Sequence, residues 1–187
     1  MLKKIILIFL LTIINSYAVQ EQNIQKTMDS KIKKVLQVLQ NKNLSLKQKQ
    51  KQSIRIMDSV FDYKKMAQIS LGRKWKTLSS KEKSQFASAF EKKIKYSYVD
   101  KLRLYNNQRV IIKKLKKTKK NRISLESTII GKSDTYDVVY KFYKRANKND
   151  WYIYDVRLAG VSIVQTYRKQ FSDFLKIKSF KQLLKSL

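Results

Sequence analysis

No histidine and no cysteine occur among the 187 residues. That removes the side chains most used as general bases, as thiolate nucleophiles and as ligands for zinc and most transition metals. The 13 acidic residues are scattered, and no close pair offers the two-carboxylate geometry of glycoside hydrolysis. Asp155 is the carboxylate in an unusual setting, among the aromatics of Trp151-Tyr-Ile-Tyr-Asp155-Val-Arg. It serves either as a hydrogen-bonded acceptor near a strand end or as the general base of a small cavity isomerase or hydrolase. Gly72, Gly131 and Gly160 are the only glycines, too few for a phosphate-cradling loop. No catalytic set, no metal and no cofactor is expected.

Charge is the other chemical resource. Lys and Arg number 43 against 13 Asp and Glu, a formal charge of +30. Such an excess draws nucleic acid, anionic lipid headgroups or acidic partners. Eight of these residues are Arg, the side chain that base and phosphate recognition favours. Nucleic acid is therefore not expected as a partner, although a basic nucleic-acid-binding or structural envelope protein is a rival reading. Lys113 to Lys120 is the densest basic run and falls at a predicted hairpin tip. It is a solvated turn or a docking point, either for transient contact with anionic headgroups at a membrane surface or for an acidic partner surface.

The elements that must position these groups begin after a leader. Lys3 and Lys4 precede the apolar run Ile5 to Ile14, and Ser16-Tyr17-Ala18 supplies the small residues of a cleavage site. The run is about half the roughly 20 residues that span a bilayer. Residues 1–18 are thus expected to be a cleavable signal peptide, and 19–187 a single domain. Without Cys, that domain is held by packing alone, which suits a periplasm.

Ile24, Met28, Ile32, Val35, Leu36 and Leu39 mark one face of a helix. A second follows Ser45 with Ile54, Met57, Val60 and Phe61, and Asp62 caps a short third that ends at Gly72. Ser79 and Glu82 form a capping box before the longest helix, where Phe86, Phe90, Ile94, Tyr98 and Leu102 recur by fours. That stripe is either core or the wall of a cavity. Residues 109–114, 122–130, 135–144 and 151–158 are rich in β-branched and aromatic residues between polar turns, which predicts a four-stranded antiparallel meander. Helical spacing returns at Ile163, Val164, Tyr167 and Phe171, and Ser179 caps a last short helix. The fold class is α+β: N-terminal helices, the meander, then a C-terminal helix, with an apolar cavity expected between sheet and helices.

Two ordered blocks carry a resemblance. The first is Phe61-Asp62-Tyr63, Met66-Ala67, Leu71-Gly72-Arg73 and Trp75, followed by Phe86, Phe90 and Tyr98. The second is Tyr154-Asp155-Val156, Gly160-Val161-Ser162 and Tyr167-Arg168-Lys169-Gln170-Phe171. Together they resemble the MlaC (toluene-tolerance) family of periplasmic lipid carriers. The strongly basic surface departs from that pattern.

The resemblance implies a non-enzymatic carrier with one bound phospholipid as cargo, its tails inside and its headgroup in water. It also implies shuttling between an outer-membrane lipoprotein–porin complex and an inner-membrane lipid ABC transporter complex, which maintains outer-membrane lipid asymmetry. On that reading the tail-binding wall is expected from Phe61, Met66, Trp75, Phe90, Ile94 and Tyr98 of the helices. Val138, Tyr140 and Phe142 of the sheet face them, and Val161, Val164, Tyr167 and Phe171 complete the enclosure.

Overall fold

The structure, a computed structural model, describes residues 19–99, 105, 107–146 and 148–187, without the side chains of Tyr98 and Val99. The expected signal peptide over 1–18, the Tyr98 side chain, Leu102 and the turn residues Asn106 and Asn147 lie outside the described residues.

Helix α1 (Ile24–Gln40) buries Ile24, Met28, Ile32 and Leu39, as steps of three and four on one face require. Helix α2 (Leu46–Asp58) starts at Ser45 with a complete capping box. The Ser45 hydroxyl accepts from the Gln48 amide, and the Gln48 side chain accepts from the Ser45 amide. Two lysines tie α1 to α2. Lys31 Nζ donates to the Ile56 carbonyl at 2.5 Å and to Ser59 Oγ at 2.9 Å, and Lys49 Nζ donates to the Leu39 carbonyl at 2.7 Å.

Helix α3 (Tyr63–Leu71) is capped by Asp62, whose Oδ1 accepts from the Lys65 amide at 2.8 Å. The other carboxylate oxygen of Asp62 accepts from the Tyr143 hydroxyl and, at 3.1 Å, from Arg145. Burial alone pushes the Asp62 carboxyl up. The bonds from Tyr143, the Lys65 amide and Arg145 outweigh that and hold it below the usual carboxylate range. One side chain thus starts a helix and pins it to the sheet. Helix α4 (Ser80–Val99) opens on the expected Ser79–Glu82 box.

The sheet runs β1 (Arg109–Lys119), β2 (Arg122–Ile130), β3 (Thr135–Lys144), β4 (Trp151–Leu158) and β5 (Val161–Ser162), antiparallel and in that order. The expected meander therefore has a fifth strand. Ala159 and Gly160, at φ +48° and +81°, make the two-residue turn that folds β5 back on β4. Primed hairpin turns need positive φ at both central residues. A two-residue strand has no period to read, so alternation along the chain could not reveal it. Strand β1 is also longer than the expected 109–114: Leu115 to Lys119 belongs to it as well, and only Lys120 and Asn121 are left to turn.

Residues directly opposite one another share a face. Leu115, Leu125, Tyr140 and Val156 form one row of the inner face, and Ile112, Ser127 and Val138 another. The free side of β4 is covered: the Trp151 amide donates to the Val19 carbonyl and the Ile153 amide to the Val60 carbonyl, at 2.9 and 2.8 Å. At the opposite margin β1 presents Lys113, Lys114, Lys116, Lys117 and Lys119, all exposed.

Helix α5 (Ile163–Ile177) buries Ile163, Val164, Tyr167 and Phe171, and α6 (Phe180–Lys185) follows Ser179, again with a full capping box. Between α3, α4 and α5 the rings interlock. Phe90 stacks on Phe86 at 6.0 Å and meets Tyr167 and Phe171 edge-on at 5.2 and 5.9 Å. Buried contacts run without a break from Val19 to Leu183.

Candidate functional site

Among the described residues, an apolar space lies between the α1–α2 hairpin and the inner face of the sheet. It is a cleft of about 360 Å³. From α1 come Ile32, Val35, Leu36 and Leu39, at the spacing that puts all four on one helix face. Helix α2 adds Met57, and the sheet adds Val110, Ile129 and Tyr140. Tyr105 and Gln108, from the chain entering β1, bring polar atoms. Among the described residues, no charged side chain lines it.

The polar groups have limited chemistry. Burial pushes the Tyr140 phenol up to about 12, with Ser127 drawing it partly back. The hydroxyl therefore stays protonated at neutral pH and acts as a hydrogen-bond donor. The Tyr105 hydroxyl accepts from Gln40 Nε2 at 3.2 Å, which bridges the end of α1 to the segment before β1. Such a lining offers dispersion and desolvation to an apolar guest, with a polar fringe at one end.

Of the residues expected to form the wall, Tyr140 lines this cleft. The structure places the others elsewhere, apart from the undescribed Tyr98 side chain. Phe90 is 0% exposed, and Met66, Trp75, Ile94, Tyr167 and Phe171 are also buried in the core. Phe61 stacks on Tyr63 at 5.5 Å, and its backbone is bridged to Ile153. Val138, Phe142 and Val164 are buried in the same continuous core. Val161 is 62% exposed, because the β4–β5 turn carries it outward. An aromatic stripe has the same spacing whether it meets other rings or empty space, and here rings fill the gap.

The α1 stripe supplies four of the nine lining residues that sequence reasoning missed. Ile32, Val35, Leu36 and Leu39 repeat at ordinary helical spacing, so the sequence holds no signal that separates this wall from a packed face.

Asp155 is fully engaged. Its Oδ2 accepts from Ser162 Oγ at 2.8 Å and its Oδ1 from the Val164 amide at 3.3 Å, while Ser162 Oγ caps α5 by accepting from Gln165. This is the strand-end acceptor of the two alternatives, and it fixes how α5 leaves the sheet. Arg168 lies against Gly72: a Cβ there would stand 3.3 Å from Arg168 Nε, and φ is +63°. Glycine at that position serves both the backbone and the close approach. No group of acidic residues among the described residues is placed to hold a metal ion. No helix among them is long and apolar enough to cross a membrane.

The fold has a relative of known structure. A phospholipid-binding protein from Ralstonia solanacearum, determined in complex with a phospholipid, superposes with a TM-score of 0.73 at 24% identity, covering 86% of this chain and 92% of that one. No curated protein matches this chain. Residues 29–187 match the family described as MlaC protein, and with that span the chain belongs to the MlaC family.

Proposed function

We infer that this protein is a periplasmic carrier of phospholipid, exported by cleavage after residue 18, that holds acyl tails between the α1–α2 hairpin and the sheet. The single observation that carries the reading is the uncharged cleft lined by α1, Met57, Val110, Ile129 and Tyr140. Membership of the MlaC family and the fold shared with a phospholipid complex support it. Exposing two C16 tails to water costs on the order of 25 kcal/mol, at about 0.8 kcal/mol per methylene. A carrier must return nearly all of that by burial, and no covalent step is required. The protein is accordingly a binding protein and not an enzyme.

The cleft's 360 Å³ is near the lower end of the roughly 300–1,000 Å³ usual for ligand sites. Two full tails exceed it, so loading draws the hairpin away from the sheet. The Lys31 and Lys49 bonds join α1 to α2, while Lys95 of α4 holds Asp58 at the end of α2 at 2.8 Å and Ile24 and Met28 anchor the start of α1 in the core, so the hairpin would swing from that end with its tip moving most. The residues packed behind the cleft, from Met66 and Phe90 to Phe171, form the rigid frame against which it moves. Transfer would run between an outer-membrane lipoprotein–porin complex and an inner-membrane ABC transporter, in the service of outer-membrane asymmetry.

Native mass spectrometry of protein from a periplasmic extract, followed by lipid extraction, tests the reading. One diacyl lipid per chain and an N-terminus at Val19 are expected. A lipid-free mass from cells with normal membranes refutes the carrier.

A further inference from the structure

The hairpin that walls the cleft has a second property. From Ser30 to Met57 there is no acidic residue, while Lys31, Lys33, Lys34, Lys42, Lys47, Lys49, Lys51 and Arg55 fall in that stretch. Asp29 offsets Lys33 at 2.7 Å. Lys31 and Lys49 spend their amines on the helix-to-helix bonds described above. That leaves Lys34, Lys42, Lys47, Lys51 and Arg55, all exposed and without an acidic partner among the described residues.

Their arrangement has a direction. Lys47, Lys51 and Arg55 stand four residues apart on α2 and so make one cationic stripe. Met57, which lines the cleft, lies about 120° around the same helix from the centre of that stripe at 3.6 residues per turn. At the hairpin tip Leu46 is 45% exposed between Lys42 and Lys47. The tip sits at the polar end of the cleft, because Lys49 reaches Leu39 and the next residue, Gln40, reaches Tyr105.

We propose that the outer face of α2, with the Lys42–Lys47 tip, is the surface by which this protein docks on an anionic bilayer. The proposal rests on the carrier reading and adds the surface it presents to the lipid source. An exposed leucine flanked by lysines suits an interface of headgroups above acyl chains. Lysine is a hydrated point charge that favours a diffuse anionic surface over the paired geometry arginine gives to a folded acidic protein. Docking there acts on the movable wall of the cleft itself. Attraction to the membrane pulls on the outer side of the helix whose inner side covers the tails.

The test is co-flotation of the purified protein with vesicles of phosphatidylglycerol and phosphatidylethanolamine, against vesicles of phosphatidylcholine. Binding to the anionic vesicles is expected at about 0.1 M salt and is lost near 1 M, where the screening length has shrunk from about 10 to about 3 Å. Each basic residue near such a surface contributes about a fivefold change in partition, so K47Q/K51Q/R55Q is expected to weaken binding roughly a hundredfold. The control K114Q/K116Q/K119Q removes the same charge from exposed β1 lysines and is expected to weaken it several-fold at most. Equal losses in the two variants overturn the proposal, as does absence of binding to anionic vesicles. So does capture by an acidic protein with vesicles ignored. Lipid extracted from the same samples separates the two readings. Protein that carries lipid yet ignores vesicles loses the docking face and keeps the carrier; protein that binds vesicles but is lipid-free does the reverse.

Discussion

Replacing Phe90 by alanine separates frame from wall. Phe90 is fully buried and contacts three rings, Phe86, Tyr167 and Phe171. Truncating such a side chain costs about 3–5 kcal/mol, through lost transfer energy and the cavity left behind. The flanking elements α3, α4 and α5 are held by Asp62, the Ser79–Glu82 box and Asp155, so collapse into the gap is limited. A domain of this size loses about 2–4 °C of melting temperature per kcal/mol, so the fall is roughly 6–20 °C. Against a total stability of about 5–15 kcal/mol, the variant still folds at low temperature. Urea unfolding followed by circular dichroism measures the loss, and phosphorus content per folded molecule measures the cargo. Since Phe90 does not border the cleft, cargo per folded chain is expected to be unchanged. A variant that keeps nearly full stability but loses its lipid refutes the reasoning, for it would place Phe90 in the wall after all.

Leu36→Trp is the converse: its ring enters the open cleft, so stability is expected to change by less than about 1 kcal/mol while co-purifying lipid falls to a small fraction. The same two assays score it. Asp62→Asn keeps a capping side chain but removes the charge that Tyr143 and Arg145 serve, and is expected to cost about 1–2 kcal/mol at neutral pH. Because the folded carboxyl titrates below the ordinary value of 3.8, its contribution is present above that pH and is lost as pH falls through the folded value. The variant and the parent should therefore converge in denaturant midpoint at the acid end; a constant gap across the titration contradicts the assignment. Ala159→Asn is expected to stabilise by about 0.5–1 kcal/mol, since alanine at φ +48° pays a left-handed penalty that asparagine largely avoids. Thermal unfolding reads the sign directly.

Local signals carried most of the fold. Ser45, Asp62, Ser79, Ser162 and Ser179 each accept from an amide three residues on, and each marks a helix start from side-chain chemistry alone. Strands β2, β3 and β4 begin and end where alternation and turn residues put them. The site was far less legible. Whether the stripe through Phe86, Phe90 and Ile94 faces rings or space depends on how α3 and α5 cross it, and that angle is a property of three segments together. Ile32, Val35, Leu36 and Leu39 read as an ordinary helix face, and only the separation of α1 from Val110, Ile129 and Tyr140 makes them a wall. Leu115 to Lys119 falls outside the expected strand because lysine is a poor strand former, yet pairing with β2 holds that backbone extended.

That lysine-bearing strand has a consequence for how the protein behaves in company. A molecule that parts its hydrocarbon core to exchange cargo is briefly sticky, and the margin of a sheet is a ready template for a second chain. Six positive side chains along β1, Arg109 and five lysines, make any like copy arrive charge against charge, which penalises edge-to-edge stacking. On the proposed carrier function, the same lysines would spare the protein from self-association at the moments when its interior is open.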